Sequence, residues 1–264
     1  MLSKRLKSIF DFIGNDVKRR RFIDVGSDHG HLTCYALKYG GFLTSVSTDI
    51  HREPANRTEE FLNLNGLEDR SSVLCTDGLD GINLCEFDVV VMAGLGGNNI
   101  IDILSRVLKT TPIDILKTVT LILQPQKSHE SLREFAFDNG FNIVDEDACE
   151  DRDIYYSYMK LVYDGIKREL GCVDKFYGPV LLKKANDKKN APNIIAKEIF
   201  NYPLLLKKEE YIDSDNLVDS YKVIYRSRGV HDNYIRCIKL VSTFYLCIIF
   251  MGSDNYARKS SFYT

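Results

Sequence analysis

The 264-residue chain is long enough for one full α/β domain with a smaller appendage. With 44% hydrophobic and 27% charged residues it supports a packed core, which excludes a chain disordered throughout. The net charge of −2 is unevenly spread: residues 1–21 carry seven basic and two acidic side chains, residues 22–165 carry 11 and 24, residues 166–230 carry 13 and nine, and residues 231–264 carry four and two.

An acidic body between basic segments suits a polyanion partner as well as it suits lysines that merely solvate helix faces. The seven cysteines form no Cys-x-x-Cys pair. That argues against a zinc site or disulfide framework and for reduced thiols in a cytoplasmic protein. The basic start Met1–Lys7 is not followed by a long apolar run, so no signal peptide is expected. The expectations are no membrane, no metal and a monomer.

In chain order, Leu2, Leu6, Ile9, Phe10 and Ile13 have helical spacing over residues 2–12. Arg21–Val25 reads as a first buried strand, followed by a glycine-containing turn and a helix over His31–Tyr39. Phe42–Ser47 begins a second strand ending at Asp49, and a helix follows over Pro54–Asn65, with Pro54 suited to its first turn. Ser71–Cys75, Phe87–Met92 and Thr118–Leu123 read as strands three to five. Phe141–Asp145 and Ile154–Val162 read as a closing hairpin.

Repeated β-α units predict a parallel sheet with right-handed crossovers, and the hairpin adds an antiparallel strand. The combination matches the Rossmann-like, mostly parallel, seven-stranded sheet of class I methyltransferases better than a plain dinucleotide fold. Beyond it, Phe176–Pro179 reads as a turn, Lys183–Lys189 as a charged loop or helix start, and Ile194–Arg226 as broadly helical with breaks at Pro203 and Asp213–Asp215. Leu240–Met251 is an apolar stretch of 12 residues, shorter than the ~20 a membrane span needs. The expected division is a methyltransferase domain over 1–165, a helical domain over 166–230 and an apolar tail over 231–264.

Five motifs fall at five successive strand ends, the edge where open α/β sheets bind ligands. The first is Asp24-x-Gly26-x-Asp28-x-Gly30. The NAD fingerprint Gly-x-Gly-x-x-Gly fails here, because Asp28 and His31 take its second and third glycine positions. An anionic Asp28 would repel a pyrophosphate but favour the sulfonium and amino groups of S-adenosylmethionine. A plain glycine turn with a helix-capping Asp is the structural alternative.

Asp49, with Ile50 after it, is placed to accept ribose hydroxyls, a device shared by methyltransferases and NAD enzymes. Cys75-Thr76-Asp77-Gly78 offers a carboxylate to an adenine amino group, or is only an Asp-Gly turn. Met92-Ala93-Gly94-Leu95-Gly96-Gly97-Asn98 lies beside strand one and leaves room for a flat base, although any glycine-rich turn would look similar. Gln124, in Leu121-Ile122-Leu123-Gln124-Pro125-Gln126, could meet a substrate edge, or the strand simply stops at Pro125.

Leu2-Ser3-Lys4-Arg5-Leu6, Asp24-Val25-Gly26-Ser27-Asp28-His29, Ala93-Gly94-Leu95-Gly96-Gly97, Leu121-Ile122-Leu123-Gln124-Pro125 and Gly178-Pro179 occur in this order in one family. Over about residues 2–182 the chain resembles the TrmK family, bacterial tRNA (adenine-22-N1)-methyltransferases. The resemblance implies a Rossmann-like catalytic domain using S-adenosylmethionine, then a coiled-coil-like helical domain that helps bind tRNA.

It implies cofactor contacts from Asp24, Gly26, Ser27, Asp28, His29, Gly30, Asp49, Ile50, Asp77, Gly78, Ala93 and Gly94. Asp28, Gly94, Gly96 and Gly97 are expected at the reacting centre. Lys4, Arg5, His29, Asn98, Gln124, Pro125, Lys183 and Lys184 are expected on the tRNA side. The sequence departs from the family at Pro203, at Asp49 where many relatives have Glu, and after Gly229. Two other readings stay open: a methyltransferase for a small molecule or protein, and a tRNA-binding protein without catalysis.

Overall fold

A computed structural model describes residues 2–186. The expectations for the rest of the helical domain and for the tail lie outside these residues.

The first helix, α1 (Lys4–Asp11), is capped by Ser3, whose hydroxyl accepts the Leu6 N–H at 3.2 Å. β1 (Arg21–Val25), α2 (His31–Lys38), β2 (Thr44–Asp49), α3 (Arg52–Leu64) and β3 (Ser71–Cys75) follow. Then come β4 (Val89–Leu95), α4 (Gly97–Thr110), the short α5 (Ile113–Leu116), β5 (Thr120–Pro125) and α6 (His129–Asp138). The hairpin β6 (Phe141–Asp151) and β7 (Ile154–Tyr163) is followed by α7 (Cys172–Tyr177) and α8 (Pro179–Asn186).

The seven strands form one sheet in the order β3-β2-β1-β4-β5-β7-β6. β1 to β5 run parallel, and β7 is antiparallel to both β5 and β6. The expected mostly parallel, Rossmann-like sheet is therefore present.

Strand side chains alternate between faces, and both faces are covered, so the central strands are mostly apolar. Ile23, Val25, Val90, Met92, Leu121 and Leu123 pack with Ile100 and Leu104 of α4 and with Leu132 of α6. Phe22, Val89, Val91 and Ile122 point the other way, against Ile9 and Phe10 of α1, Leu37 of α2 and Leu62 of α3.

Two strands run further than expected. β4 continues past Met92 to Leu95 through a bulge: Ala93 pairs with Gln124 and Leu95 with Pro125. β5 accordingly ends at Pro125 rather than Leu123. The hairpin strands also reach Asp151 and Tyr163, with a register shift between Ile143 and Asp145.

The Phe176–Pro179 segment is a helix–helix joint. Gly178 separates α7 from α8, and Pro179 opens α8, where a missing N–H costs nothing. The next two N–H groups, of Val180 and Leu181, donate to Glu146 Oε2 at 2.9 and 3.2 Å. The other Glu146 oxygen accepts from Arg133 Nε at 2.8 Å, and both side chains are buried. β6 and α6 thus hold the start of α8 against the sheet.

Candidate functional site

The carboxyl ends of β1 to β5 share one edge, and a buried threonine ties three of its loops together. The Thr48 carbonyl accepts the Gly26 and Ser27 N–H groups at 2.8 and 2.9 Å. Its hydroxyl donates to the Gly78 carbonyl at 2.8 Å. Thr48 carries no motif, and its position one residue before Asp49 was the only signal available.

Asp24 lies beneath the first loop, buried, where the Thr33 hydroxyl donates to it at 2.9 Å and shares a second hydrogen bond with Ser47. Burial pushes its carboxyl above the ordinary value, and the hydrogen bond from Thr33 opposes that shift. Asp24 therefore ties β1 to α2 beneath the loop.

Asp28 is half exposed, accepts from Arg57 Nη2 of α3 at 2.7 Å and has His29 Nε2 at 3.5 Å. His29 is exposed and stacks on His31 with ring centroids 5.9 Å apart. Gly30 is the N-cap of α2. Arg57 was not found from sequence, since a lone arginine inside a helix has no motif around it.

Asp49 ends β2, with Oδ1 accepting the His51 N–H at 2.9 Å, and Ile50 beside it is exposed. Asp77 is exposed after β3 and faces Arg106 of α4 at 3.2 Å. Asp28, Asp49 and Asp77 thus follow the ends of β1, β2 and β3 in spatial order.

The glycine segment divides into unlike parts. Gly94 is the bulge, with φ of 85°, and a Cβ there would lie 3.3 Å from Arg5 Nη1. Ala93 is half-buried within β4, and Gly96 caps α4. Gly97 is buried: its N–H donates to the Lys127 carbonyl at 2.9 Å, and a Cβ would sit 2.5 Å from the Ser128 carbonyl. Gly97 was expected to frame a base together with Gly94 and Gly96, and here it is a buried packing position. Its role is close packing of α4 on the segment after β5.

Three of the residues expected on the tRNA side have internal partners or are buried. Gln124 is 1% exposed because β5 continues through it; its Oε1 accepts from Arg5 Nη1 at 2.8 Å and its Nε2 donates to the Pro125 carbonyl at 2.9 Å. Each polar atom of Gln124 thus has one internal partner in a buried side chain, and Pro125 is itself a buried strand residue. Lys184 lies in α8, the helical one of the two readings of its segment, and binds the Glu146 carbonyl and Asp145 Oδ1, both at 2.7 Å. Lys4, Asn98 and Lys183 are exposed, at the start of α1, in the first turn of α4 and on α8. Arg5 is half-buried at the edge itself.

Among the described residues no cluster of His, Cys, Asp or Glu could hold a metal ion, and no helix is long and apolar enough to cross a membrane.

Comparison with known proteins bears on this edge. The family described as "Methyltransferase domain" matches residues 2–159. A Bacillus subtilis tRNA (adenine(22)-N(1))-methyltransferase is 28% identical over 192 residues, which cover 70% of this chain and 76% of that protein. The chain belongs to the methyltransferase-domain family, in its TrmK group.

A candidate tRNA methyltransferase of Mycoplasma genitalium is 30% identical to this TrmK-group chain over 163 residues, covering 60% of this chain and 68% of that one. The crystal structure of a Streptococcus pneumoniae candidate tRNA (m1A22) methyltransferase in complex with S-adenosyl-L-methionine superposes with a TM-score of 0.68 at 26% identity. It covers 86% of this chain and 99% of that one.

Proposed function

We infer that this protein transfers the methyl group of S-adenosylmethionine to N1 of an adenine in tRNA, at position 22. The observation that carries the reading is the row of carboxylates Asp28, Asp49 and Asp77 along the strand-end edge of a TrmK-group fold. The relatives named above give the substrate: the similar B. subtilis protein is a tRNA (adenine(22)-N(1))-methyltransferase.

The residues present fit the cofactor. Asp49 at the end of β2 suits ribose hydroxyls, and Asp77 suits an exocyclic amine. Asp28 with Arg57 presents one group of each sign, the complement of an α-amino acid. Gly94, having no side chain, lets the Arg5 guanidinium come close to the end of β4. Bound there, S-adenosylmethionine supplies an electrophilic methyl group.

The chain's own task is placement. Adenine N1 carries its lone pair without losing a proton, so transfer calls for position and electrostatics more than for a strong base. N1 lies on the pairing edge, so a paired adenine must first be exposed. Residues 166–230, with 13 basic against nine acidic side chains, supply further tRNA contact in this reading. The protein acts as a cytoplasmic monomer.

The test is incubation of unmodified tRNA with the protein and S-adenosylmethionine, followed by primer extension and nucleoside mass spectrometry. A new stop at position 22 with 1-methyladenosine in the digest is expected. Transfer to another atom, or none, refutes the reading.

A further inference from the structure

Arg5 stands apart from most of the buried or half-buried arginines. Arg21, Arg133 and Arg168 each meet a carboxylate, and Arg19 is held by the Gly14 and Gly40 carbonyls. Arg5 is half-buried, yet among the described residues no carboxylate lies within ion-pair distance of its guanidinium. Its described contacts are neutral: Gln124 Oε1 at 2.8 Å, and the Tyr156 ring, whose centroid is 5.2 Å from Cζ.

The position is built. Asp151 Oδ2, from the end of β6, accepts the Arg5 backbone N–H at 2.9 Å, while Ser3 caps the same helix turn. Gln124 is itself fixed by its bond to the Pro125 carbonyl. A partly desolvated cation held in place by neutral groups is poised for an anion. It sits over Gly94, at the end of β4 beside β1.

The anion is not the base. Methylation at N1 turns a neutral adenine into a cation, and a guanidinium against that ring would oppose the charge as it develops. Resting on the tRNA reading above, the geometry points to Arg5 as a phosphate clamp. Its guanidinium receives a backbone phosphate next to the target nucleotide, and Gln124, Asp151 and Tyr156 position it. The carboxylate of the cofactor's amino-acid end is the other anion within the same chemistry, and the experiment separates the two.

The full chain is compared with Arg5→Gln and Arg5→Lys. Measured quantities are the KM and kcat for tRNA methylation, the salt dependence of tRNA affinity, and S-adenosylmethionine binding by calorimetry. Arg5→Gln should raise the KM for tRNA ~10-fold with kcat within ~2-fold. It should make the slope of log affinity against log salt shallower by about one. Arg5→Lys should keep the slope, and cofactor affinity should be unchanged in both.

A fall in kcat with KM and slope unaltered would place Arg5 at the reacting atoms and overturn the clamp. Weaker cofactor binding with an unaltered slope would assign the anion to the cofactor and overturn it too. So would a slope lost in Arg5→Lys, which keeps the charge. If the unaltered chain transfers no methyl group to tRNA, the tRNA reading fails and takes the clamp with it. If it does and the Arg5→Gln slope is unchanged, the clamp alone fails.

Discussion

Replacing Glu146 with Ala tests how the C-terminal helices are held to the sheet. The Glu146 and Arg133 side chains are 0% and 2% exposed and meet at 2.8 Å. Taking that carboxylate away from a buried guanidinium costs about 3–5 kcal/mol. The same change strips Val180 and Leu181 of their shared acceptor, a loss of about 1 kcal/mol by analogy with helix caps. Against a total stability of about 5–15 kcal/mol this is a large fraction, and the melting temperature should fall by roughly 10 °C or more.

The double variant Arg133→Met/Glu146→Leu removes both charges together, leaving the cap unfilled and the Lys175 carbonyl without the Arg133 Nη1 donor it has at 3.1 Å. It should be more stable than Glu146→Ala by about 2 kcal/mol or more. The chain contains no Trp, so urea titration followed by far-ultraviolet circular dichroism is the suitable assay. A single variant within about 1 kcal/mol of the unaltered protein, or a double variant less stable than the single, would refute the reasoning.

Two further outcomes are expected. Asp49→Ala should weaken S-adenosylmethionine binding about 10- to 100-fold through lost charged hydrogen bonds. Calorimetry checks this, while stability without ligand should hardly move, since the half-buried Asp49 accepts only the His51 N–H among its described contacts. His129, at the start of α6, has a pKa lowered from 6.5 to about 4 by burial, aided by the nearby Arg133. The unfolded chain takes up that proton more readily than the folded one, so this stability is complete above pH 6.5 and drains as pH falls toward about 4. His129→Gln should flatten the fall in urea midpoint across that window, and an unchanged fall would count against it.

The sheet was legible where apolar runs end in a turn residue. Arg21–Val25 and Ser71–Cys75 are the strands that the pattern predicts. β4 and β5 ran past their expected ends because their pairing survives a glycine bulge and reaches a proline, two residues that read locally as a stop. That short extension decided the role of Gln124: outside the strand it would have faced a substrate, and inside it is buried and holds Arg5.

The internal partners of Lys184 were hidden for a related reason. A lysine in a charged run looks solvated, and its partners Asp145 and Glu146 lie on a strand far back in the chain. Arg57, Thr48 and Tyr156 had no local signal, since each matters through a residue brought near by the sheet. The carboxylates fared better, because the end of a parallel strand is a position that sequence can mark.

The two amides held by Thr48 have one more consequence. A phosphate-binding turn works by leaving successive backbone N–H groups unspent for oxygen ligands. Here the Gly26 and Ser27 N–H groups are already committed to a carbonyl of the neighbouring strand. Discrimination against dinucleotides is thus written in the main chain as well as in the charge of Asp28, and a glycine at position 28 would not by itself turn this loop into a pyrophosphate cradle.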